Sequence, residues 1–177
     1  VICVSETVRD YLLRHYPKTD PAKLRVIPRG IDPSAFPRRV SPDREARAFV
    51  AALHPALGGD GPLLLLPGRG TRLKGHADAL TLLATLRAHG RDARLWLPGS
   101  REAGRAHYID ELASEAQGLG LADVVAFTAP TDAIAQAYAA SALVLQTSRK
   151  PEAFGRTVLE ALSVGRPVLV FAIRGPR

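Results

Sequence analysis

The sequence predicts an α/β domain in which a doubly wound parallel sheet carries helices on both faces. Three observations predict it. From Gly61 onward, short apolar runs alternate with segments whose apolar residues recur at helical spacing. The apolar runs are hydrophobic at consecutive positions, as a sheet buried on both sides requires. The connections between them are short, which suits repeated strand–helix–strand crossovers.

Residues 1–17, "VICVSETVRDYLLRHYP", read as a short apolar strand followed by a helix; Ser5 is a suitable N-cap, and Val8, Leu12 and Tyr16 fall on one face. "TDPAK" is a turn, "LRVIP" a short strand, and "RGIDPSAFPRRVSPD" a loop rich in Pro and Gly. "REARAFVAALHPAL" predicts a short helix that "GGDGP" breaks. The regular alternation then begins. "PLLLLPGRG" is an apolar strand ending in glycines, and "HADALTLLATLRAHG" is a helix closed by Gly90. "ARLWLPGS" is the next strand, "YIDELASEAQGLG" a helix and "DVVAFTAP" a strand. "TDAIAQAYAAS" is a helix capped by Thr131 or Asp132. "ALVLQTS", "GRTVLEALSVG" and "RPVLVFAI" complete the series as strand, helix and strand.

A chain of 177 residues is long enough for one domain with a proper core. A hydrophobic share of 46% and a charged share of 23% are those of an ordinary globular protein, which excludes disordered and fibrous classes. No apolar run is long enough to span a bilayer. Cys3 is the single cysteine, so an internal disulfide framework is excluded and a reducing compartment is expected. The chain starts at Val1 and has no methionine, from which we expect a segment of a longer protein, cut at its C-terminal end as well. The formal charge of +7 suits nucleic acid, an anionic surface or a phosphorylated ligand. Nucleic acid is not expected, because the arginines are spread along the chain with no interleaved aromatic residues. Most arginines read as solvated surface charges. Lysine occurs only at positions 18, 23, 74 and 150, so Lys74 in a glycine loop stands out.

In a doubly wound sheet, ligands bind beyond the carboxyl ends of the strands near the switch in strand order. The residues that follow the strands are Gly68, Arg69, Gly70, Lys74 and Gly75; then Gly99 and Ser100; then Phe127, Thr128 and Ala129; then Ser148, Glu152, Phe154 and Gly155. The glycines let a backbone come close to a ligand. Arg69 and Lys74 supply two cations, and the helix after Gly155 aims free N–H groups at the same edge. Together these suit a diphosphate, although the loop matches neither of the common glycine-rich phosphate fingerprints. A purely phosphate-binding site would exclude carboxylates, yet Glu152 lies before this last helix and Glu160 within it. Carboxylates are strong acceptors for sugar hydroxyls. Hydroxyls on both sides of a diphosphate describe a nucleotide sugar. The spacing alone is weak, and Glu160 also reads as an exposed helix carboxylate. His76 reads as a surface residue at a helix N-terminus, the other histidines as structural or surface, and Cys3 and Trp96 as core.

"PEAFGRTVLEALSVGRPVL" resembles the Glu-x7-Glu signature of retaining glycosyltransferases of the GT-B type, the family called group 1 or family 4. "LLLLPGRGTRLKGHADAL" is similar to that family's phosphate loop, while "ICVSETVRDYL" and "LRVIPRGID" are similar to its crossover between domains. The resemblance implies a Rossmann-like, C-terminal half of a GT-B fold, with residues 1–40 as the tail of an acceptor domain and crossover, and residues 41–177 as the donor domain. It implies that Arg69 and Lys74 hold the diphosphate, Glu152 the transferred sugar and Glu160 the ribose. Ala153, Phe154 and Gly155 would line sugar and phosphate, Thr157 would meet phosphate, Phe127, Thr128 and Ala129 the base, and Gly68, Gly70 and Gly99 the approach of the backbone. The family often has leucine where Gly70 stands, so a looser loop is expected. The implied reaction uses a nucleotide-sugar co-substrate, with no cofactor and no metal expected. The implied setting is cytoplasmic, at the inner face of a bacterial membrane, with a glycan or lipid-linked acceptor held by the other domain. A nucleotide-sugar epimerase of the same fold and a non-catalytic nucleotide-binding module are the alternatives.

Overall fold

The computed structural model describes residues 1–102, 104 and 106–173. The last residues of the predicted donor domain, 174–177, lie outside the described residues.

Strands β1 (Ile2–Cys3) and β2 (Arg25–Val26) form a small parallel sheet, with helix α1 (Glu6–His15) between them in sequence. Ser5 caps α1 by accepting a hydrogen bond from the Val8 amide. A long loop leads to α2 (Arg44–Leu53), which Asp43 caps through the amides of Glu45 and Ala46. The helix predicted here stops at Leu53, because His54 turns extended and Pro55–Leu57 form a separate 3-10 turn. Alternation then follows as β3 (Leu63–Leu65), α3 (His76–Ala88), β4 (Arg94–Pro98), α4 (Ala106–Gly118), β5 (Val125–Thr128), α5 (Ile134–Ala140), β6 (Leu143–Gln146), α6 (Arg156–Val164) and β7 (Val168–Val170). The five strands from β3 form one parallel sheet in the order β5-β4-β3-β6-β7. The predicted doubly wound α/β fold is the observed one.

The leucine run explains why the sheet is central. Side chains alternate across a strand. Leu63 and Leu65 join a core with Val50, Ala137, Tyr138 and Ala161, drawn from α2, α5 and α6. Leu64 and Leu66 join the opposite core with Leu80, Leu83, Ile109 and Leu112, from α3 and α4. Every residue of the run is buried, so polar residues on either face would have no partner. Strand β7 departs from this rule. Among the described residues it pairs only with β6, and Leu169 and Val170 are exposed, whereas Val125 and Ala126 of the other edge strand, β5, are buried.

One further expectation changes. Helix α5 begins at Ile134 with Ala133 at its N-cap and no side-chain cap; Thr131 instead accepts from the Ala133 amide in the preceding turn. Three arginines fall outside the solvated majority. Arg47 donates to the carbonyl oxygens of Leu57, Gly59 and Gly61 at 3.0, 3.1 and 3.0 Å. Arg94 reaches the Gly58 carbonyl, and Arg166, buried, donates to the carbonyls of Arg39 and Ser41. These guanidiniums satisfy loop carbonyls that no ladder reaches.

Arg47→Met keeps the apolar stem and removes all three bonds. It should lower unfolding free energy by about 1–3 kcal/mol, the cost of leaving partly buried carbonyls without donors, as read from urea denaturation.

Candidate functional site

The strand order reverses between β3 and β6. β4 and β5 extend the sheet on one side of β3, whereas β6 lies on the other. The loops that leave β3 and β6 therefore part over a crevice at the carboxyl ends of the strands. Those loops are sewn together beneath it. Thr147 Oγ1 donates to the carbonyl oxygens of Lys74 and Gly75, and the Arg149 amide donates to the Leu73 carbonyl at 2.8 Å. Gly75 has φ +73°, and a Cβ there would lie 2.2 Å from the Thr147 carbonyl oxygen. Only glycine fits.

Across this seam Lys74 Nζ meets Glu152 Oε1 at 2.5 Å. The Ser148 hydroxyl donates to the same carboxylate oxygen. Burial pushes the Glu152 carboxyl up, but the bonds from Lys74 and Ser148 pull it down further and hold it below the ordinary value. The stem of Lys74 runs past Gly68, whose Cβ position lies 3.6 Å from Lys74 Cδ, and Gly68 in turn lies against Gly99. Gly68, Arg69 and Gly99 line a cleft of about 250 Å³ with Pro98, Pro130, Thr131 and Ile134. Arg69 is exposed and forms no ion pair with any described residue. A hollow of about 420 Å³ between α2 and α5 is lined by no glycine, and one of about 730 Å³ that holds Gly59, Gly61, Arg44 and Arg47 lies where the chain enters β3 and β6, at the amino ends of the strands.

Glu160 is not an exposed helix carboxylate. It is buried on α6, where Tyr138 OH donates to Oε2 at 2.9 Å and Arg156 Nε to Oε1 at 2.5 Å. Burial and then the Glu160 charge push the Tyr138 hydroxyl well above its ordinary value, so it remains a donor. Tyr138 escaped the sequence reading, where a tyrosine in the small-residue run "AYAAS" was the available signal, and Ser148 was placed at this edge without a role. Ala153 is exposed, while Phe154, Gly155 and Thr157 are half-buried around the start of α6. Helices α3 and α6 share a feature: each is N-capped by a left-handed glycine, Gly75 or Gly155, and neither has a side-chain cap. Their first N–H groups are left for a ligand at the crevice, unlike those of α1 and α2.

Two sequence expectations meet the structure differently. Gly70 does not loosen its loop. It is buried, and a Cβ would lie 2.2 Å from the Ser100 carbonyl oxygen and 2.8 Å from Ile109 Cδ1, so glycine permits tight packing against the turn after β4. His76 is not at the surface. It is fully buried, edge-on to Tyr108 with ring centroids 6.2 Å apart, and its Nδ1 lies 3.3 Å from the Thr71 carbonyl oxygen. Its Nε2 has no partner among the described residues. At Phe127, Thr128 and Ala129, the carbonyls of Thr128 and Ala129 accept from the amides of Arg101 and Gly99, and Thr128 Oγ1 accepts from Trp96 Nε1.

Comparison with known proteins places this geometry. The family model "Glycosyl transferases group 1" matches residues 54–177, and "Glycosyltransferase Family 4" matches residues 1–35. The chain is 35% identical over 168 residues to a D-inositol 3-phosphate glycosyltransferase of Actinosynnema mirum, covering 88% of this chain and 37% of that protein. A glycosyltransferase crystal structure from Rickettsia africae superposes with a TM-score of 0.84 at 25% identity, over 99% of this chain and 45% of that one. The Anabaena protein Alr3699/HepE, solved in complex with UDP-glucose, has the same fold, with a TM-score of 0.83 at 24% identity over 99% of this chain and 45% of that one. The chain thus spans less than half the length of these relatives.

His76 gives the site a pH signature. Burial holds its pKa below 6.5, the Thr71 bond raises it and Lys74 lowers it. As pH falls through about 6.5 the unfolded chain takes up a proton that the folded chain refuses, so stability falls with pH. Urea midpoints measured from pH 7.5 to 5.5 should decline in the native chain, and His76→Gln should flatten that decline.

Proposed function

Because the chain belongs to the glycosyl transferases group 1 family, we propose that it is the donor-binding part of an enzyme that moves a sugar from a nucleotide sugar to an acceptor hydroxyl, with retention at the anomeric carbon. The observation that carries this reading is the Lys74–Glu152 pair across the sheet's switch point. It sets a cation for phosphate oxygens beside a carboxylate for sugar hydroxyls, at the mouth of two uncapped helices.

Each residue then takes a role. Lys74 and Arg69 neutralise the diphosphate and stabilise the charge that grows on the leaving nucleoside diphosphate, the electrostatic work such a transfer needs most. The amides at the starts of α3 and α6, with Thr157, add neutral donors to the same oxygens. As phosphate takes over Lys74, Glu152 is released to accept from hydroxyls of the transferred sugar, with Ala153, Phe154 and Gly155 lining it. Glu160 binds the ribose hydroxyls, held in orientation by Tyr138. Gly68 and Gly99 let the nucleotide lie against the backbone. The base reaches the strand ends near Phe127, Thr128 and Ala129; since two carbonyls there are already engaged, Pro98, Pro130 and Thr131 supply the cleft walls.

Residues 1–40 are proposed as the tail of an acceptor domain and the crossover, and residues 41–177 as the donor domain. The acceptor is a glycan or lipid-linked sugar of bacterial surface polysaccharide synthesis, lipopolysaccharide included, reached at the inner face of the membrane. No described helix is long and apolar enough to cross a membrane. A second acceptor class has an observation in its favour. The 35%-identical relative is named for D-inositol 3-phosphate, a small phosphorylated polyol, and an acceptor panel should hold both kinds.

Titration calorimetry of the chain with UDP, GDP and ADP tests the reading. One diphosphate should bind preferentially. Lys74→Met should weaken it about 10- to 100-fold, as expected for a lost bond between charged groups, while leaving the parent nucleoside unaffected. Tyr138→Phe should weaken the ribonucleotide about tenfold but not its 2′,3′-dideoxy counterpart, since the tyrosine acts through Glu160. Absence of binding by all three at millimolar concentration would count against a donor site.

A further inference from the structure

We propose that Ser5 is a positioning residue for the Glu152 loop, coupling the small β1–α1–β2 unit to the part of the site that holds the transferred sugar. The inference rests on the donor-site reading above and deepens it. Ser5 Oγ donates to the carbonyl oxygen of Ala153, 148 positions away in sequence and adjacent to Glu152. The same oxygen accepts from the Val8 amide at 3.3 Å, closing the first turn of α1. A hydroxyl has one proton to give and two lone pairs to offer, so it can do both at once.

The consequence follows from where Ala153 sits. The segment between β6 and α6 is held at one end by the strand, and at the other by Gly155, which opens α6 in the left-handed conformation. Between them, Glu152 is held by Lys74 and Ser148, groups that a phosphate would compete for. The Ala153 carbonyl is held by Ser5, which no ligand on the proposed path displaces. When a nucleotide sugar draws Lys74 away, Ser5 is the contact that keeps the peptide after Glu152 in place. Among the described residues no other hydrogen bond or ion pair joins the β1–α1–β2 unit, residues 1–27, to the five-stranded body, and the chain runs on to it through residues 28–43. Any shift of that unit therefore changes how well Glu152 can be aimed at a sugar, while leaving phosphate and ribose contacts where they are.

Three substitutions separate this role from simple helix capping. Ser5→Thr keeps the donor and the acceptor. Ser5→Asp keeps a strong N-cap acceptor, but as an ionised carboxylate it has no proton for Ala153. Ser5→Ala keeps neither. Each is titrated, with the native chain, against UDP and UDP-glucose, GDP and GDP-mannose, and ADP and ADP-glucose, and the gain in affinity from the sugar is taken as the ratio of the two dissociation constants of the pair that binds. Ser5→Thr should keep the native ratio. Ser5→Ala and Ser5→Asp should lower it about threefold to tenfold, the range of one neutral hydrogen bond, with nucleoside diphosphate affinity within about twofold of native. Amide exchange at residues 153–155 in the free chain should quicken in Ser5→Asp and not in Ser5→Thr. A native ratio in Ser5→Asp overturns the proposal, as does equal weakening of both ligands in Ser5→Ala and Ser5→Asp, which marks a merely structural role. If the native chain binds none of the three pairs, the donor reading fails first and Ser5 with it; if it binds one and the ratio is insensitive, Ser5 alone fails.

Discussion

Gly75 and Thr147 meet where the loops leaving β3 and β6 cross, with no room for a side chain between them. Most of the candidate site depends on that closeness. The two strands are neighbours in the sheet but far apart in sequence, because the chain first builds β4 and β5 on the other side. Thr147 closes the gap by donating to the Lys74 and Gly75 carbonyls, and Arg149 adds a backbone bond to Leu73. With the seam shut, Lys74 can only project over Gly68 toward Glu152. A bulkier residue at position 75 would part the loops and separate the cation from the carboxylate without touching either.

Charge inside this site is affordable because it is shared. A carboxylate as buried as Glu160 carries a desolvation cost of several kcal/mol unless partners offset it. It has two, one from each side: a phenol fixed in the core and a guanidinium reaching in from solvent. Tyr138 is itself packed against Phe36, so the orientation of the carboxylate is inherited from the core. Glu152 is handled differently. It is only partly buried, and its partners are a flexible lysine and a loop serine. One carboxylate is thus rigid and the other exchangeable, which suits a fixed sugar of the nucleotide and one that must leave.

The layers of the fold were legible because four leucines in a short run bounded by glycine and proline read as a strand, and a strand can bury all four only in a sheet covered on both faces. The crevice was legible too, since glycines, Lys74 and Glu152 all follow strands. What was not legible depended on contacts between distant segments. His76 stands at a helix N-terminus, a position that is usually wet, but Tyr108 from α4 covers it. Gly70 read as slack because the Ser100 carbonyl that crowds it comes from another strand's turn. Tyr138 lies 22 residues from the carboxylate it serves, and Ser5 lies 148 from the carbonyl it holds. A count of arginines cannot say which of them face a row of loop carbonyls, as Arg47 and Arg166 do.

Helix α6 is gripped at both ends. At its start lie the Glu152 loop and Glu160. At its far end Ser163 donates to the Phe36 carbonyl, the Arg39 amide donates to the Val164 carbonyl, and Arg166 straps residues 39 and 41. Nine helical residues separate the two grips, a rod of about 14 Å at 1.5 Å per residue. A hydrogen-bonded rod of that length transmits rotation with little bending. The strap at residues 36–41 and the carboxylates at the crevice therefore hold opposite ends of one helix, so the direction in which α6 presents Glu160 is fixed from both sides.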